Sequence, residues 1–163
     1  MSGSNIARAG LLLLAALCLP GSAARAAGSS PFAAMAGSWS GGGVLNTSDG
    51  GEERLRCRAN YDIAGPGTEL RLNLRCASDS FNIDLSGNVE YRSGTISGEW
   101  TEASHNASGT ISGRASGGHI EAAARGDSFS ANLSLTTRGG TQYVSIRPQG
   151  TSISSVSLAL NRR

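Results

Sequence analysis

From Trp39 to the C-terminus, apolar and polar residues alternate in short runs that are separated by Gly, Asn, Asp, Ser and Pro. This period of two is typical of antiparallel strands with one buried face, so the chain belongs to the all-β class. Residues 32–36 predict one helical turn ahead of the first strand. Up to ten strands are predicted, roughly over residues 38–45, 53–63, 69–77, 80–92, 95–103, 108–115, 119–125, 128–138, 141–148 and 153–161.

The registers of successive hairpins support this interpretation, because a slip by one residue would move every side chain to the opposite face. Short turns are predicted at residues 78–79, 93–94, 105–106, 117–118, 126–127 and 139–140. They place apolar residues opposite one another, for example Tyr91 opposite Ile96 and Cys76 opposite Phe81. Consecutive antiparallel strands leave two exposed edges unless the sheet closes on itself. The sequence therefore predicts an antiparallel up-and-down meander barrel of about eight to ten strands, with a flattened barrel or β-sandwich as the alternative.

Two cysteines, Cys57 and Cys76, lie in the second and third predicted strands. A register that pairs Ile63 with Leu70 also pairs the two cysteines. Cross-strand Cβ atoms are about 4.5–5.5 Å apart, which is close to disulfide distance. We therefore expect one disulfide, worth roughly 3 kcal/mol to the fold. A redox or metal role is the alternative, although no CxxC spacing is present.

Residues 1–26 have the parts of a bacterial secretory signal. Arg8 forms the positive n-region, residues 11–19 form a short apolar run, and Ala24-Arg25-Ala26 is a small-x-small cleavage site. We expect cleavage near Ala26 and a periplasmic or secreted protein. No run reaches the ~20 apolar residues that span a bilayer, so no transmembrane segment is predicted. The predicted divisions are a signal peptide at 1–26, an N-terminal arm at 27–36 and a β-barrel domain at 37–163.

The charges of the mature chain are nearly balanced. All 14 basic residues are arginine, and losing Arg8 and Arg25 with the signal leaves 12 against 12 acidic residues. Nucleic-acid binders carry a net basic surface, so we expect no nucleic acid as a partner. One cluster of arginines faces outward from the disulfide hairpin, either as a solvated face that protects the sheet or as a docking site for an envelope protein or anionic envelope surface. Its main members are Arg54, Arg56, Arg58 and Arg75.

The segment Gly37-Ser38-Trp39, at the entry to the first strand, resembles the Gly-x-Trp signature of the calycins: the lipocalins, avidins and fatty-acid-binding-type barrels. In those families the Trp closes one barrel end and an Arg near the last strand stacks across it. The resemblance implies a barrel-end plug of Trp39 with Arg162 and Arg163. The order of segments also resembles small exported proteins of alphaproteobacteria, which implies a periplasm. The alternative for Trp39 is an ordinary core tryptophan.

The interior of such a barrel is predicted to be incompletely filled. Diameter grows with strand number, yet the inward positions of the middle strands are small. They are Gly98, Gly113, Ala115, Ala122, Ala124 and Ala131. Either the barrel flattens or an apolar cavity remains, with a few polar groups at its wall. For a cavity, we expect ligand contacts from Tyr61, Leu72, Leu74, Phe81, Tyr91, Trp100 and Phe129.

These features favour a periplasmic, non-enzymatic binding or carrier protein for a small apolar or amphipathic ligand. One alternative is an exported inhibitor of a protease or lysozyme, because residues 27–31 resemble the free arm that such inhibitors insert into an active site. A structural cell-envelope protein is another. No catalytic residue, cofactor or metal site is predicted, since His105 and His119 are expected at opposite barrel ends, on the order of 20 Å apart.

Overall fold

A computed structural model describes residues 30–163 of the chain. The predicted signal peptide, its cleavage site and residues 27–29 of the predicted arm lie outside the described residues. Over residues 30–163, none of the helices has the length and apolar character needed to cross a membrane.

The chain forms one short helix and ten strands, and each strand agrees with its predicted range to within two residues at either end. The predicted helical turn is a 3₁₀ helix at Ala33–Met35. The strands are β1 (Gly37–Thr47), β2 (Glu52–Ala64), β3 (Glu69–Ala77), β4 (Asn82–Arg92), β5 (Thr95–Glu102), β6 (Ala107–Ser116), β7 (His119–Gly126), β8 (Ser130–Arg138), β9 (Thr141–Gln149) and β10 (Ile153–Arg162). The alternation of polar and apolar residues therefore locates the strands well.

The ten strands form one closed antiparallel barrel in up-and-down order. Each strand pairs with its neighbours in the chain, and β1 pairs with β10 to complete the ring. The closing register places Trp39 opposite Arg162 and Leu45 opposite Val156. The predicted barrel is confirmed, and closure leaves no free sheet edge within the described part of the chain.

The disulfide between Cys57 and Cys76 is present, with the two Cα atoms 4.1 Å apart. The register is the predicted one, because Ile63 pairs with Leu70 and the two cysteines pair with each other. Both cysteine side chains face the interior and are buried. The bond therefore joins β2 to β3 within the core of the barrel rather than at its surface.

Three of the predicted turns have the wrong register, while those at 93–94, 117–118 and 139–140 are confirmed. Cys76 pairs with Ile83 and not with Phe81, because the turn after β3 spans four residues. The turns after β5 and β7 are wider in the same way. A shift by two residues keeps every side chain on its face, so hydrophobic alternation does not distinguish the two registers. The wide turn after β3 is closed locally by a hydrogen bond from the Ser78 amide to the Phe81 carbonyl.

Two inward glycines allow neighbouring strands to approach closely. A Cβ atom at Gly43 of β1 would collide with the Ser157 carbonyl, and one at Gly113 of β6 would collide with the Glu121 carbonyl. Glycine within a strand is typical of sharp bends in barrel walls. Because β1 and β6 lie on opposite sides of the ten-stranded ring, the sheet is able to bend at two facing positions.

Candidate ligand-binding cavity

The barrel encloses a cavity of about 240 Å³. Apart from a few polar groups, its lining consists of aliphatic and aromatic side chains from every strand except β1, together with Phe32 and Met35 of the N-terminal segment. Of the two outcomes expected from the small inward residues, the structure thus shows an apolar cavity. Such cavities are the usual form of small-molecule sites.

Five of the seven predicted ligand contacts line this cavity: Tyr61, Leu72, Leu74, Trp100 and Phe129. The other two lie elsewhere. Tyr91 packs edge-on against Phe32, with ring centroids 6.2 Å apart. Phe81 is half-buried in the turn after β3, where it packs against the core.

Small residues create the space on one side of the cavity. Ala124 of β7 pairs directly with Ala131 of β8, and both face the interior. Leucine or phenylalanine at these positions would occupy the cavity. The sequence predicts that these alanines are too small to fill the barrel, and the structure shows the space that they leave.

Trp100 forms a fixed wall of the cavity. Its indole Nε1 donates a hydrogen bond to the Thr110 carbonyl at 3.1 Å, and its ring packs against Phe129 with centroids 5.3 Å apart. A Cβ atom at Gly126 would lie 3.2 Å from the indole ring. The glycine therefore makes room for the tryptophan, which is held by both a hydrogen bond and packing.

The closed end of the barrel lies where β1 begins and β10 ends. Trp39 is 1% exposed, and its indole Nε1 donates a hydrogen bond to the Met35 carbonyl at 2.7 Å. The Arg162 guanidinium lies 4.5 Å from the centre of the Trp39 ring. Arg162 also donates hydrogen bonds to the carbonyls of Ala34, at 2.6 Å, and Ala36. One arginine thus ties the 3₁₀ segment to the tryptophan.

Arg163, the other arginine assigned to this plug, points elsewhere. Its Nε donates a hydrogen bond to the Ser40 hydroxyl at 2.8 Å, on the outer face of β1. Successive residues of a strand point to opposite faces, so both arginines cannot stack on the same ring.

A buried polar chain lies under the closed end. The Tyr61 hydroxyl donates to Gln142 Oε1 at 2.6 Å, and Gln142 Nε2 donates to the Thr137 hydroxyl at 3.2 Å. Burial raises the pKa of Tyr61 well above its ordinary value, and the hydrogen bond with Gln142 opposes this only in part. The hydroxyl therefore stays protonated. Gln142 was not predicted, although its inward position between Thr141 and Tyr143 is readable from the alternation.

The open end of the barrel is formed by the turns at 47–52, 77–82, 102–107, 126–130 and 149–153. Several inward side chains on this side of the cavity are only half-buried, including Leu74, Leu85, Ile111 and Ile146. At the closed end, Trp39 and Leu160 are fully buried. The half-buried side chains therefore leave part of the cavity lining accessible at the open end.

Glu102 places a carboxylate at this open end, among the residues that line the cavity. Its Oε1 accepts hydrogen bonds from the amides of Asp84, at 2.8 Å, and Ser104, at 3.0 Å. Its Oε2 accepts one from the His105 amide at 2.8 Å and lies 2.7 Å from His105 Nδ1. Burial raises the pKa of Glu102, but these hydrogen bonds outweigh it and lower the pKa to about 2. The carboxylate is thus ionised at neutral pH.

The sequence alone predicts no role for Glu102. Its inward position follows from alternation with Trp100. Two of its hydrogen-bond donors, however, lie in the turn after β5, whose register is predicted wrongly. The two histidines lie at opposite ends, as expected: His105 in the turn after β5, and His119 at the start of β7.

No protein-family model matches the chain, and no curated protein matches it. Among solved structures, the crystal structure of Rv2717c from M. tuberculosis is similar, with a TM-score of 0.66 and 13% identity over 81% of this chain and 94% of that one. An S-type phycobiliprotein lyase, CpeS from Guillardia theta, is similar with a TM-score of 0.57 and 14% identity, over 81% of this chain and 89% of that one.

These likenesses identify the fold. It is a calycin-like barrel of ten strands. The predicted calycin resemblance is confirmed at this level, while the resemblance to alphaproteobacterial exported proteins stays a prediction. Identities this low show the fold alone, so the lyase activity of CpeS is a property of that protein.

Substitution of Arg162 tests the closed end. Arg162→Met removes the cation–π contact with Trp39 and the hydrogen bonds to Ala34 and Ala36 but keeps an apolar stem. We expect the free energy of unfolding, measured with urea, to fall by about 1–3 kcal/mol. The matched variant Arg163→Met loses one exposed hydrogen bond and is expected to change stability by less than about 0.5 kcal/mol. Equal losses in the two variants would contradict a specific role for Arg162.

Glu102 makes stability dependent on pH. Its pKa is lower in the folded protein than its ordinary value of 4.5, so its contribution is complete above about pH 5 and is lost as the pH falls toward 2. Glu102→Gln should therefore be less stable than wild type at pH 7, by about 1–3 kcal/mol. Glutamine replaces one charged acceptor oxygen with an amide group, so some of the backbone amides that bind the Glu102 carboxylate lose their acceptor.

The difference in unfolding free energy between wild type and Glu102→Gln should shrink between pH 5 and pH 2. The control is Glu99→Gln, which changes an exposed glutamate on the same strand. A stability difference between wild type and Glu102→Gln that is constant with pH, or that Glu99→Gln reproduces, would refute the assignment.

Proposed function

We propose that the chain is a periplasmic, non-enzymatic binding or carrier protein for a small apolar or amphipathic ligand. The observation that carries this proposal is the apolar cavity of about 240 Å³, open at one barrel end and plugged at the other by Trp39 and Arg162. A packed protein interior rarely contains voids much larger than a water molecule. A cavity of this size is costly to stability and is therefore more consistent with a binding site than with a structural core.

The volume limits the size of the ligand. An apolar cavity of about 150 Å³ holds benzene, and drug-sized ligands occupy roughly 300–1,000 Å³. The barrel cavity, at about 240 Å³, lies between the two. We therefore expect a small molecule, such as an aromatic compound of one to three rings or a molecule with a short hydrocarbon chain.

Glu102 influences the polar part of an amphipathic ligand. Its carboxylate is ionised and lies at the open end, where a head group would remain after the apolar part enters the barrel. A negative charge repels a second carboxylate and attracts a hydrogen-bond donor or a cation. A ligand with an alcohol or amine head group is thus favoured over a free fatty acid, whose head group is a carboxylate.

The packing of the N-terminal segment favours this proposal over the inhibitor alternative. Pro31, Phe32 and Met35 are buried against the barrel. The Ser30 hydroxyl also donates a hydrogen bond to the Gly67 carbonyl. An inhibitory arm would therefore have to use residues before Ser30, whereas Phe32 and Met35 of this segment line the cavity. The structural-envelope alternative does not account for the cavity.

A small fluorescent aromatic amine, 1-aminoanthracene, tests the proposal in the oxidised mature protein. We expect saturable fluorescence enhancement in wild type. Ala131→Phe fills the cavity and should weaken binding by more than about tenfold, which corresponds to 1.4 kcal/mol. Ala123→Phe makes the same change on the outer face of the neighbouring strand and should bind the probe like wild type.

Native mass spectrometry of protein isolated from its own host supplies the second readout. An adduct that is present in wild type and lost in Ala131→Phe would identify the ligand class. A bare mass in wild type, together with equal probe binding in all three proteins, would overturn the carrier proposal.

A further inference from the structure

A concentrated group of arginines, here called the arginine wall, lies on the outer face of β2 and β3 and, through Arg163, beside β1. Its members are Arg54, Arg56, Arg58, Arg75 and Arg163. All five are exposed. Four of them, all except Arg54, border one shallow depression on the outside of the barrel, together with Ser40 and Asn82. This surface is separate from the cavity, because outward and inward side chains alternate along each strand.

The centre of the arginine wall places like charges against each other. Arg58 lies directly between Ser40 and Arg75 in the sheet, and Arg163 reaches the same row by its hydrogen bond to Ser40. Directly opposed like charges on neighbouring strands destabilise a sheet. Asp84 neutralises only the far side of this row, through an ion pair with Arg75 at 3.1 Å. The row is therefore unfavourable in the isolated protein, and a bound anion would relieve it.

The arginines of β2 have no acidic partner within residues 30–163, since no ion pair includes Arg54, Arg56 or Arg58. The nearby Glu53 carboxylate is instead bound by the Ser78 hydroxyl and the Ser80 amide. Three guanidinium groups on one strand are thus available for an external partner.

We infer that the arginine wall docks the barrel onto the phosphate groups of an anionic lipid surface. Alternate residues of a strand are about 6.6–6.8 Å apart, so the three arginines of β2 extend over roughly 13 Å. That span exceeds one phosphate and matches an array of head groups. Guanidinium groups bind phosphate oxygens in a bidentate manner, and each arginine near an anionic membrane adds about 1 kcal/mol, or roughly fivefold, to binding.

The surroundings favour a lipid surface over single-stranded nucleic acid. Among the described residues the exposed large hydrophobic side chain is Tyr143, which lies on β9 and away from the arginine wall. Single-stranded nucleic acids need aromatic side chains on which the bases stack. The depression presents serine, asparagine and arginine, together with Asp84, which is already paired with Arg75. Such a lining suits electrostatic contact with head groups without insertion into the bilayer.

Vesicle co-sedimentation tests this inference with the oxidised mature chain. The probes are vesicles of phosphatidylglycerol and, for comparison, of phosphatidylcholine. We expect binding to the anionic vesicles alone, and weaker binding as salt is raised because exposed charges are screened. Arg56→Ser/Arg58→Ser/Arg75→Ser should bind the anionic vesicles roughly a hundredfold more weakly.

The matched control is Arg114→Ser/Arg125→Ser/Arg147→Ser, which removes the same charge from exposed positions on β6, β7 and β9. It should bind within about threefold of wild type, because membrane attraction falls off within a Debye length. Circular dichroism of each variant confirms that the barrel is folded.

Equal losses in the two triple variants would show an effect of net charge and overturn the inference. Wild-type binding that is absent, or equal on neutral vesicles, would also overturn it. Inorganic phosphate, added at constant ionic strength, should not displace the protein from the anionic vesicles. Displacement would mean a site for free phosphate and would refute lipid docking. None of these outcomes depends on the occupancy of the cavity.

Discussion

Pairing of the first strand with the last is the constraint on which the rest of the molecule depends. The ladder between β1 and β10 converts an open meander into a ring and satisfies backbone groups that would otherwise form two exposed edges. The same ladder places Trp39 opposite Arg162, which are far apart in sequence. The 3₁₀ segment then packs against that pair through carbonyl groups bound by the indole and the guanidinium. The same strand pairing thus closes the sheet into a ring and brings together the residues that close the barrel end.

The interior follows from that closure and from the size of its residues. A ring of ten strands has more interior volume than the small side chains of β6 to β8 can fill. Close strand approach at Gly43 and Gly113 reduces the volume, and Trp100 occupies another part of it. What remains is apolar, half-exposed at one end and bounded there by an ionised carboxylate. The outer wall has a different character, because the alternate positions of the same strands carry serine, threonine, asparagine and arginine.

Much of the fold is predictable from the sequence, because each strand contains several alternating residues whose signals agree. The registers at the two-residue turns and at the disulfide hairpin are correct for the same reason. Three registers at the open end are wrong, since a shift by two preserves the alternation and only local hydrogen bonds, such as that between Ser78 and Phe81, determine the turn length.

The site is less predictable than the fold. Five predicted contacts line the cavity because inward positions follow from alternation, but Tyr91 is covered by Phe32 from outside the strands. Glu102 depends on donors from a turn whose geometry the alternation does not specify. The choice between a flattened barrel and an open cavity depends on backbone distances across the ring, which no local pattern contains.

The central claim is that the barrel holds a lasting apolar cavity, and diffraction from crystals under xenon pressure tests it most directly. Xenon enters dry apolar cavities of this size and scatters strongly. We predict xenon inside the barrel, between Trp100, Leu135 and Ile146. An interior without xenon, either collapsed or filled by ordered water, would contradict the account.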